Sequence, residues 1–201
     1  MKKLVITLGL VLVFAMSASA QDEGVGLTAK GFKVGLNMAN VSGDDVEGTD
    51  SKMGIVGGLF FTYNFSSTFA LQPEILYTMK GCTMTEEGVD VDVKVDYIEI
   101  PVLFKFTFGQ GTTKPCFFAG PAMAFLMSAK MEAMGLSVDF KDETKSMDLG
   151  IVFGGGVDFA MGNGTMTFDG RYTMGMSSID DTEYDEDIKN GVISFMVGYG
   201  F

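Results

Sequence analysis

The chain has no histidine and no tryptophan, and it contains only 2 cysteines and 4 prolines among 201 residues. Without histidine, a serine or cysteine triad that depends on a histidine base cannot be built. Carboxylate or tyrosine chemistry stays formally open, but we do not expect an enzyme. No cofactor is expected either, because the glycines of 154–156 lie inside a predicted strand that no helix follows, unlike those of a phosphate-binding loop.

The two cysteines are expected to stay unpaired. Cys116 begins one predicted strand beside a short turn, whereas Cys82 follows another strand at the opposite end. A strand of about 10 residues would hold them more than roughly 20 Å apart. A disulfide requires Cα atoms within about 4.4 to 6.8 Å of each other.

Long apolar runs are also absent, and a membrane-spanning helix would need about 20 such residues. The shorter run at 4–14 follows two lysines and precedes the small residues of 18–20, which is the order of a secretory signal peptide. We predict a signal peptide over 1–20 that is cleaved before Gln21, and a single domain over 21–201. No cysteine follows the cleavage site, so no lipid anchor is expected there.

The chain does contain period-two alternation of apolar and polar or small residues. Eight strands are predicted, over 31–40, 53–65, 69–79, 98–108, 115–128, 147–160, 165–175 and 191–201, with the fourth beginning within 89–95. The parity of the apolar residues reverses between Val95 and Ile98, which predicts a bulge near Asp96 and Tyr97. Short turns alternate with long acidic connections. This asymmetry is typical of an all-β fold, an eight-stranded antiparallel up-and-down barrel in a bacterial outer membrane. A secreted soluble barrel or sandwich is the alternative.

The net charge of −12 lies in four long connections, 41–52, 80–96, 129–147 and 176–190. Such a surface makes nucleic acid a poor partner and divalent cations better ones. One cluster is dense enough in oxygen atoms to be a weak Ca²⁺ or Mg²⁺ candidate, although it lacks the spacing of an EF-hand. It consists of Asp180, Asp181, Glu183, Asp185, Glu186 and Asp187. The competing and favoured interpretation is a solvated acidic loop.

Charged residues also occur on the polar faces of the predicted strands. A Lys or Arg at the lipid midplane costs about 2 to 4 kcal/mol, so these side chains should point inward. We expect an interior polar network of Lys33, Glu74, Glu99, Lys105, Asp158, Asp169 and Arg171. Arg171 should contact at least one of the four carboxylates, because an unpaired buried guanidinium would be costly. Side chains just fill an eight-stranded barrel, which favours a packed plug over a proton or ion path.

Several stretches are similar to a known family: GFKVGLN at 31–37, LQPEILY at 71–77, YIEIPVL at 97–103 and FAGP at 118–121. They resemble the PorT-like outer-membrane β-barrel family of the Bacteroidetes, whose members are usually described as porin-family proteins. The resemblance implies an eight-stranded outer-membrane barrel and carries over no catalytic residue and no defined ligand. The chain closes on Tyr199 and Phe201, and by resemblance to outer-membrane proteins such an aromatic end is recognised by the barrel assembly machinery.

Taken together, these features predict a barrel surrounded by outer-membrane lipid, with a structural or surface-interaction role through its acidic external loops. The amino-acid sequence does not identify the surface ligand of those loops. The alternative is a narrow, porin-like passive channel for ions or small solutes. A lipid-acting outer-membrane enzyme is a less favoured third possibility.

Overall fold

The computed structural model describes residues 25–43, 49–86, 89–109, 111–182 and 187–201. The signal peptide predicted for 1–20 lies outside the described residues. The strands are β1 Gly26–Ser42, β2 Thr49–Asn64, β3 Phe69–Glu86, β4 Val89–Thr107, β5 Thr113–Ala133, β6 Leu136–Asp139, β7 Met147–Met161, β8 Gly164–Gly175 and β9 Lys189–Gly200. Within the described ranges, one 3-10 turn, Lys141–Glu143, precedes β7.

Eight of these strands close into an antiparallel barrel. Wall strands that follow one another in the chain are paired, β5 pairs with both β4 and β7, and β1 pairs with β9 to complete the cylinder. The short β6 forms a hairpin with the end of β5 beyond the wall. The predicted eight-stranded up-and-down barrel is therefore confirmed. Across the described ranges, we find no helix long and apolar enough to cross a membrane.

The barrel wall is apolar outside and polar inside. On β1, Phe32 and Val34 are 54% and 55% exposed, whereas Lys33 between them is only 2% exposed. The other wall strands repeat this arrangement, with exposed apolar side chains that include Ile55, Ile75, Phe117, Leu149, Phe168 and Phe195. A soluble barrel would turn these side chains inward, so the observed arrangement suits a lipid surrounding and not water.

The two ends of the barrel differ. At one, which we call the short-turn end, the strands are joined through 65–68, 108–112 and 162–163, and β9 finishes there. At the other, the long-connection end, the joining segments are 43–48, 87–88, 134–146 and 176–188. Three of the four segments at this end are longer than every turn at the other end, as predicted, and 87–88 is the exception.

One of the predicted connections is mostly strand. We expected the third strand to stop at 79 and an acidic connection to occupy 80–96, but β3 and β4 stay paired up to Glu86 and Val89. The outward apolar pattern of β3 and β4 ends before the strands do, because the residues of 80–96 lie beyond the lipid-facing band. In this extension, polar side chains form hydrogen bonds between the two strands, such as that from the Thr83 hydroxyl to Asp92 at 2.8 Å. The short β6 was not predicted either.

A register shift occurs at the place expected for the bulge, between Asp96 and Tyr97. The extra residue, however, is on β5: Asp96 pairs with Ser128 and Tyr97 with Leu126, so Met127 has no counterpart. β4 itself keeps its faces, since Val95 and Tyr97 are both buried inside the barrel. The reversal of apolar parity in β4 is therefore not caused by a bulge in β4, as predicted. Toward the long-connection end the apolar residues of this strand move from the outer face to the inner face.

Candidate functional site

Six charged side chains from five strands meet in the half of the barrel nearer the short-turn end. We call this group the six-charge cluster; its members are Lys33, Glu74, Lys105, Asp158, Asp169 and Arg171. Three are cations and three are anions, so the cluster is neutral. Strand alternation explains their direction, because the residues on either side of each point toward lipid.

Glu74 is the centre of the six-charge cluster and is fully buried. Its carboxylate accepts hydrogen bonds from Lys33 Nζ at 2.8 Å and from Arg171 Nη1 at 2.7 Å. A third bond comes from Gln72 Nε2 at 2.7 Å. Because β1, β3 and β8 contribute these partners, the contacts reach across the barrel interior and not merely along its wall.

Arg171 contacts two of the four carboxylates considered for it. Besides Glu74, it binds Asp169, with Nη2 at 2.9 Å and Nε at 3.0 Å from Oδ1. The guanidinium also lies over the Phe118 ring, 5.1 Å from its centroid. Gly154 pairs with Arg171 on the neighbouring strand, and a Cβ at that glycine would lie 2.4 Å from the Gly170 carbonyl oxygen. A side chain there would therefore force the two strands apart.

Lys105 and Asp158 form the part of the six-charge cluster nearest the short-turn end. The ammonium lies 2.8 Å from Asp158 Oδ2 and 3.5 Å from Gln72 Oε1, which links the pair to Glu74. Next to them a polar cavity of about 210 Å³ opens toward the short-turn end.

Glu99 lies apart from the other predicted network members. It pairs with Lys80 Nζ at 2.8 Å, and the same ammonium lies 3.3 Å from Asp148 Oδ2. We call Lys80, Glu99 and Asp148 the three-charge cluster; all three are buried. Asn190 Nδ2 donates to Asp148 at 2.9 Å, and the Lys80 ammonium lies 5.0 Å from the centroid of the Tyr97 ring.

Sequence reasoning missed Lys80 and Asp148 as members of this network. Lys80 lies one residue past the predicted end of its strand, so no face was assigned to it. Asp148 lies on the polar face of its predicted strand, but nothing in the sequence indicates which inward residues lie at the same height in the barrel. The alternation of outward and inward residues in β3 continues as far as Gly81, and this pattern could have assigned Lys80 to the inner face.

The long-connection end of the interior is apolar. Val95, Tyr97, Ala124, Leu126 and Ala129 form a buried cluster against which Phe140 packs. Next to it lies a cavity of about 210 Å³, which we call the mouth cavity, and its lining includes Val93, Met131, Phe140, Ile179 and Ile188. Near this cavity Lys52 Nζ lies 2.7 Å from Asp92 Oδ2, and hydrogen bonds from Lys52 and Thr83 hold the pKa of Asp92 below its ordinary value.

The acidic candidate for Ca²⁺ or Mg²⁺ is only partly described. Glu183, Asp185 and Glu186 lie outside the described residues, whereas Asp180, Asp181 and Asp187 lie within them. Asp180 accepts hydrogen bonds from Thr182, and Asp187 lies beside Lys189. Over the described part of the chain, no three cysteine or carboxylate side chains come together in a way that could hold a metal ion.

At the carboxy-terminus, Phe201 is tied to the first strand. Its N–H donates to the Lys30 carbonyl at 2.9 Å, and the Lys30 N–H donates to the Phe201 carbonyl at 3.2 Å. The Phe201 ring is 61% exposed on the lipid side, and Tyr199 pairs with Phe32 and Met166 on the adjacent strands. Both cysteines are free and buried, with Cys82 toward the long-connection end and Cys116 toward the short-turn end.

Comparison with known proteins agrees with this architecture. Residues 19–181 match the family described as the outer membrane protein beta-barrel domain. The chain belongs to this family. Membership indicates the outer membrane as its location. No curated protein matches the chain.

Solved structures with a similar fold include three bacterial barrels. Neisserial surface protein A shares 15% identity, with a TM-score of 0.51, 84% of this chain covered and 95% of that one. The attachment invasion locus protein of Yersinia pestis shares 18% identity, with a TM-score of 0.48, and 87% and 99% covered. The N-terminal barrel domain of Pseudomonas aeruginosa OprF shares 10%, with a TM-score of 0.38, and 84% and 97% covered. The likeness to the neisserial protein supports the fold alone.

Proposed function

We propose that this protein is an outer-membrane barrel with a plugged interior, and that it serves a structural or surface-interaction role through its acidic external loops. The observation that carries the proposal is the six-charge cluster. Its contacts join strands on different sides of the barrel through fully buried groups, and its charges balance.

A balanced and buried cluster is a poor pathway for ions. Glu74 has two cationic partners and one amide partner, so a passing ion would have to displace several short hydrogen bonds at once. Phe140 and Ile179 add an apolar layer at the mouth cavity. The interior is thus blocked by two layers of different chemistry.

Conductance across a planar bilayer tests the plug. The purified barrel should show no stepwise current, while a known open porin in the same bilayer should. The double variant Glu74→Ala with Arg171→Ala removes side chains from the centre of the cluster and serves as the positive comparison, provided that it remains folded. Regular single-channel steps from the unmodified barrel would overturn the plug and favour the narrow passive channel. The polar cavity beside Lys105 and Asp158 is the observation that keeps this second candidate open.

The surface role rests on the charge of the long-connection end. In outer-membrane barrels the short turns face the periplasm and the longer loops face outward, so this acidic end is external in our proposal. Its ligand would then be a cationic or cation-bridged surface component. Binding of intact-cell surface fractions to the barrel in nanodiscs should fall when Asp180, Asp181 and Asp187 are changed to Asn, and it should not change for Asp158→Asn. If the loop variant and Asp158→Asn bind the surface fractions equally well, the acidic loops do not contribute to binding.

Export and family branch are further parts of the proposal. We place the chain in the PorT-like, porin-family branch of the Bacteroidetes on the strength of the motifs at 31–37, 71–77, 97–103 and 118–121. We also propose that the signal peptide over 1–20 is removed on export. The amino-terminal peptide of the protein recovered from outer membranes should then begin at Gln21. A protein that retains Met1 in that fraction would contradict cleavage.

A further inference from the structure

The three-charge cluster differs from the six-charge cluster in its charge balance. Lys80 supplies one positive charge, whereas Glu99 and Asp148 supply two negative ones. Among the described residues, no other Lys or Arg lies within ion-pair distance of either carboxylate. The undescribed stretches within the barrel domain after residue 43, which are 44–48, 87–88, 110 and 183–186, contain no Lys or Arg. The cluster therefore carries a net charge of −1 in a buried position.

Two buried oxygen atoms beside this cluster have no hydrogen-bond partner in the described part of the chain. They are Tyr97 Oη and Asn190 Oδ1, on side chains that are 0% and 3% exposed. Asn190 is held in place by its other amide atom, which donates to Asp148. The Tyr97 hydroxyl lies beside the Asn190 side chain, but the contact does not reach the length and angle of a normal hydrogen bond. Both unpaired oxygens thus lie next to the unbalanced carboxylates.

We propose that the three-charge cluster binds one monovalent cation of sodium type, with oxygen ligands from Glu99, Asp148, Asn190 and Tyr97. Burying an uncompensated charge and unpaired polar atoms is costly, and a single cation would relieve both costs. Carboxylate, amide and hydroxyl oxygens are hard ligands, which suits an alkali or alkaline-earth cation. A divalent ion would replace the excess negative charge with an excess positive one, since Lys80 already supplies one unit.

A proton shared by Glu99 and Asp148 would also balance the charge, but it accounts for less of the geometry. A proton held between the two carboxylates would contact neither Tyr97 Oη nor Asn190 Oδ1, whereas a cation can contact both. The neutral six-charge cluster, in which Glu74 is fully paired, offers a matched comparison within the same barrel.

The test compares the urea unfolding midpoint of the mature barrel in NaCl and in choline chloride at equal ionic strength. Ligands that bind only the folded state raise its stability with their concentration, so the midpoint should rise with the logarithm of the Na⁺ concentration. The ²³Na NMR line of the folded barrel should also broaden. Asp148→Asn removes the unbalanced charge and should abolish both effects. Asp158→Asn removes a carboxylate from the six-charge cluster and should keep both.

A second variant covers the case in which Asp148→Asn does not fold. Tyr97→Phe removes only the hydroxyl and should raise the half-saturating Na⁺ concentration by roughly tenfold, the equivalent of one hydrogen bond to a charged group. Equal midpoints in the two salts for the unmodified barrel would overturn the proposal. A midpoint that changes with pH and not with Na⁺ would also overturn it and assign a proton to the cluster. An unchanged Na⁺ response in both Asp148→Asn and Tyr97→Phe would place any bound ion elsewhere.

Discussion

At the scale of single residues, the barrel interior depends on a few side chains with several partners each. Glu74 joins Lys33 and Arg171, and its side chain has no solvent exposure. Its two cationic partners belong to β1 and β8, which are neighbours of β9 on either side. The stability of the interior should therefore be much more sensitive to this carboxylate than to those of the loops.

Replacing Glu74 with Ala should lower the free energy of unfolding by about 3 to 5 kcal/mol, because Lys33 and Arg171 would be left buried without an anion. Urea unfolding in detergent, followed by circular dichroism, measures the change. Asp50→Asn, at an exposed position on β2, is the control and should stay within about 0.5 kcal/mol of the unmodified barrel. Similar midpoints for the two variants would show that the cluster does not stabilise the fold.

Gly154 is a second residue whose identity the packing requires. A Cβ there would lie 2.4 Å from the Gly170 carbonyl oxygen and 2.9 Å from Arg171 Cα, so Gly154→Ala should destabilise the barrel. Overpacking of this kind costs about 1 to 3 kcal/mol. The matched control is Gly170→Ala, where the nearest atom is 3.4 Å away on the flexible Phe195 ring. If the two alanine variants unfold at the same urea concentration, the close approach of β7 and β8 is not the constraint.

At the scale of elements, the last strand has two separate tasks. The backbone of Phe201 closes the β1 and β9 seam through its two hydrogen bonds with Lys30, while its ring is largely exposed, with the Lys30 ammonium 5.8 Å from the ring centroid. Every backbone group within lipid needs a partner, so this seam must form for the barrel to be stable in the membrane. A deletion of the residue would disturb both tasks at once.

The substitution Phe201→Ala separates them, because it keeps the backbone bonds. If the aromatic end is the assembly signal, this variant should give far less membrane-inserted protein but a nearly unchanged urea midpoint in the fraction recovered. Phe195→Ala on the same strand is the control, since its ring is 62% exposed compared with 61% for Phe201. Normal inserted yield for Phe201→Ala, or equal losses for both variants, would count against a signal at the carboxy-terminus.

At the scale of the whole molecule, the closed barrel and its exposed apolar wall together predict how the protein behaves in fractionation and on gels. The protein should fractionate with the outer membrane and migrate anomalously on gels until it is boiled, because a closed barrel resists unfolding by detergent. Samples with and without boiling, compared with a soluble periplasmic marker, provide the measurement. Recovery as a soluble periplasmic protein with unchanged mobility would contradict the membrane barrel.

The amino-acid sequence by itself determined which faces of the strands meet lipid and how many strands cross it, because period-two alternation is a local property of the backbone. It also located the register shift near Asp96 and Tyr97, although the extra residue proved to be Met127 on the neighbouring strand. Only the tertiary structure decided which inward residues share a height in the barrel, since that depends on strand stagger and closure. Stagger places Glu99 with Lys80 and Asp148, apart from Arg171, and so creates one balanced and one unbalanced cluster.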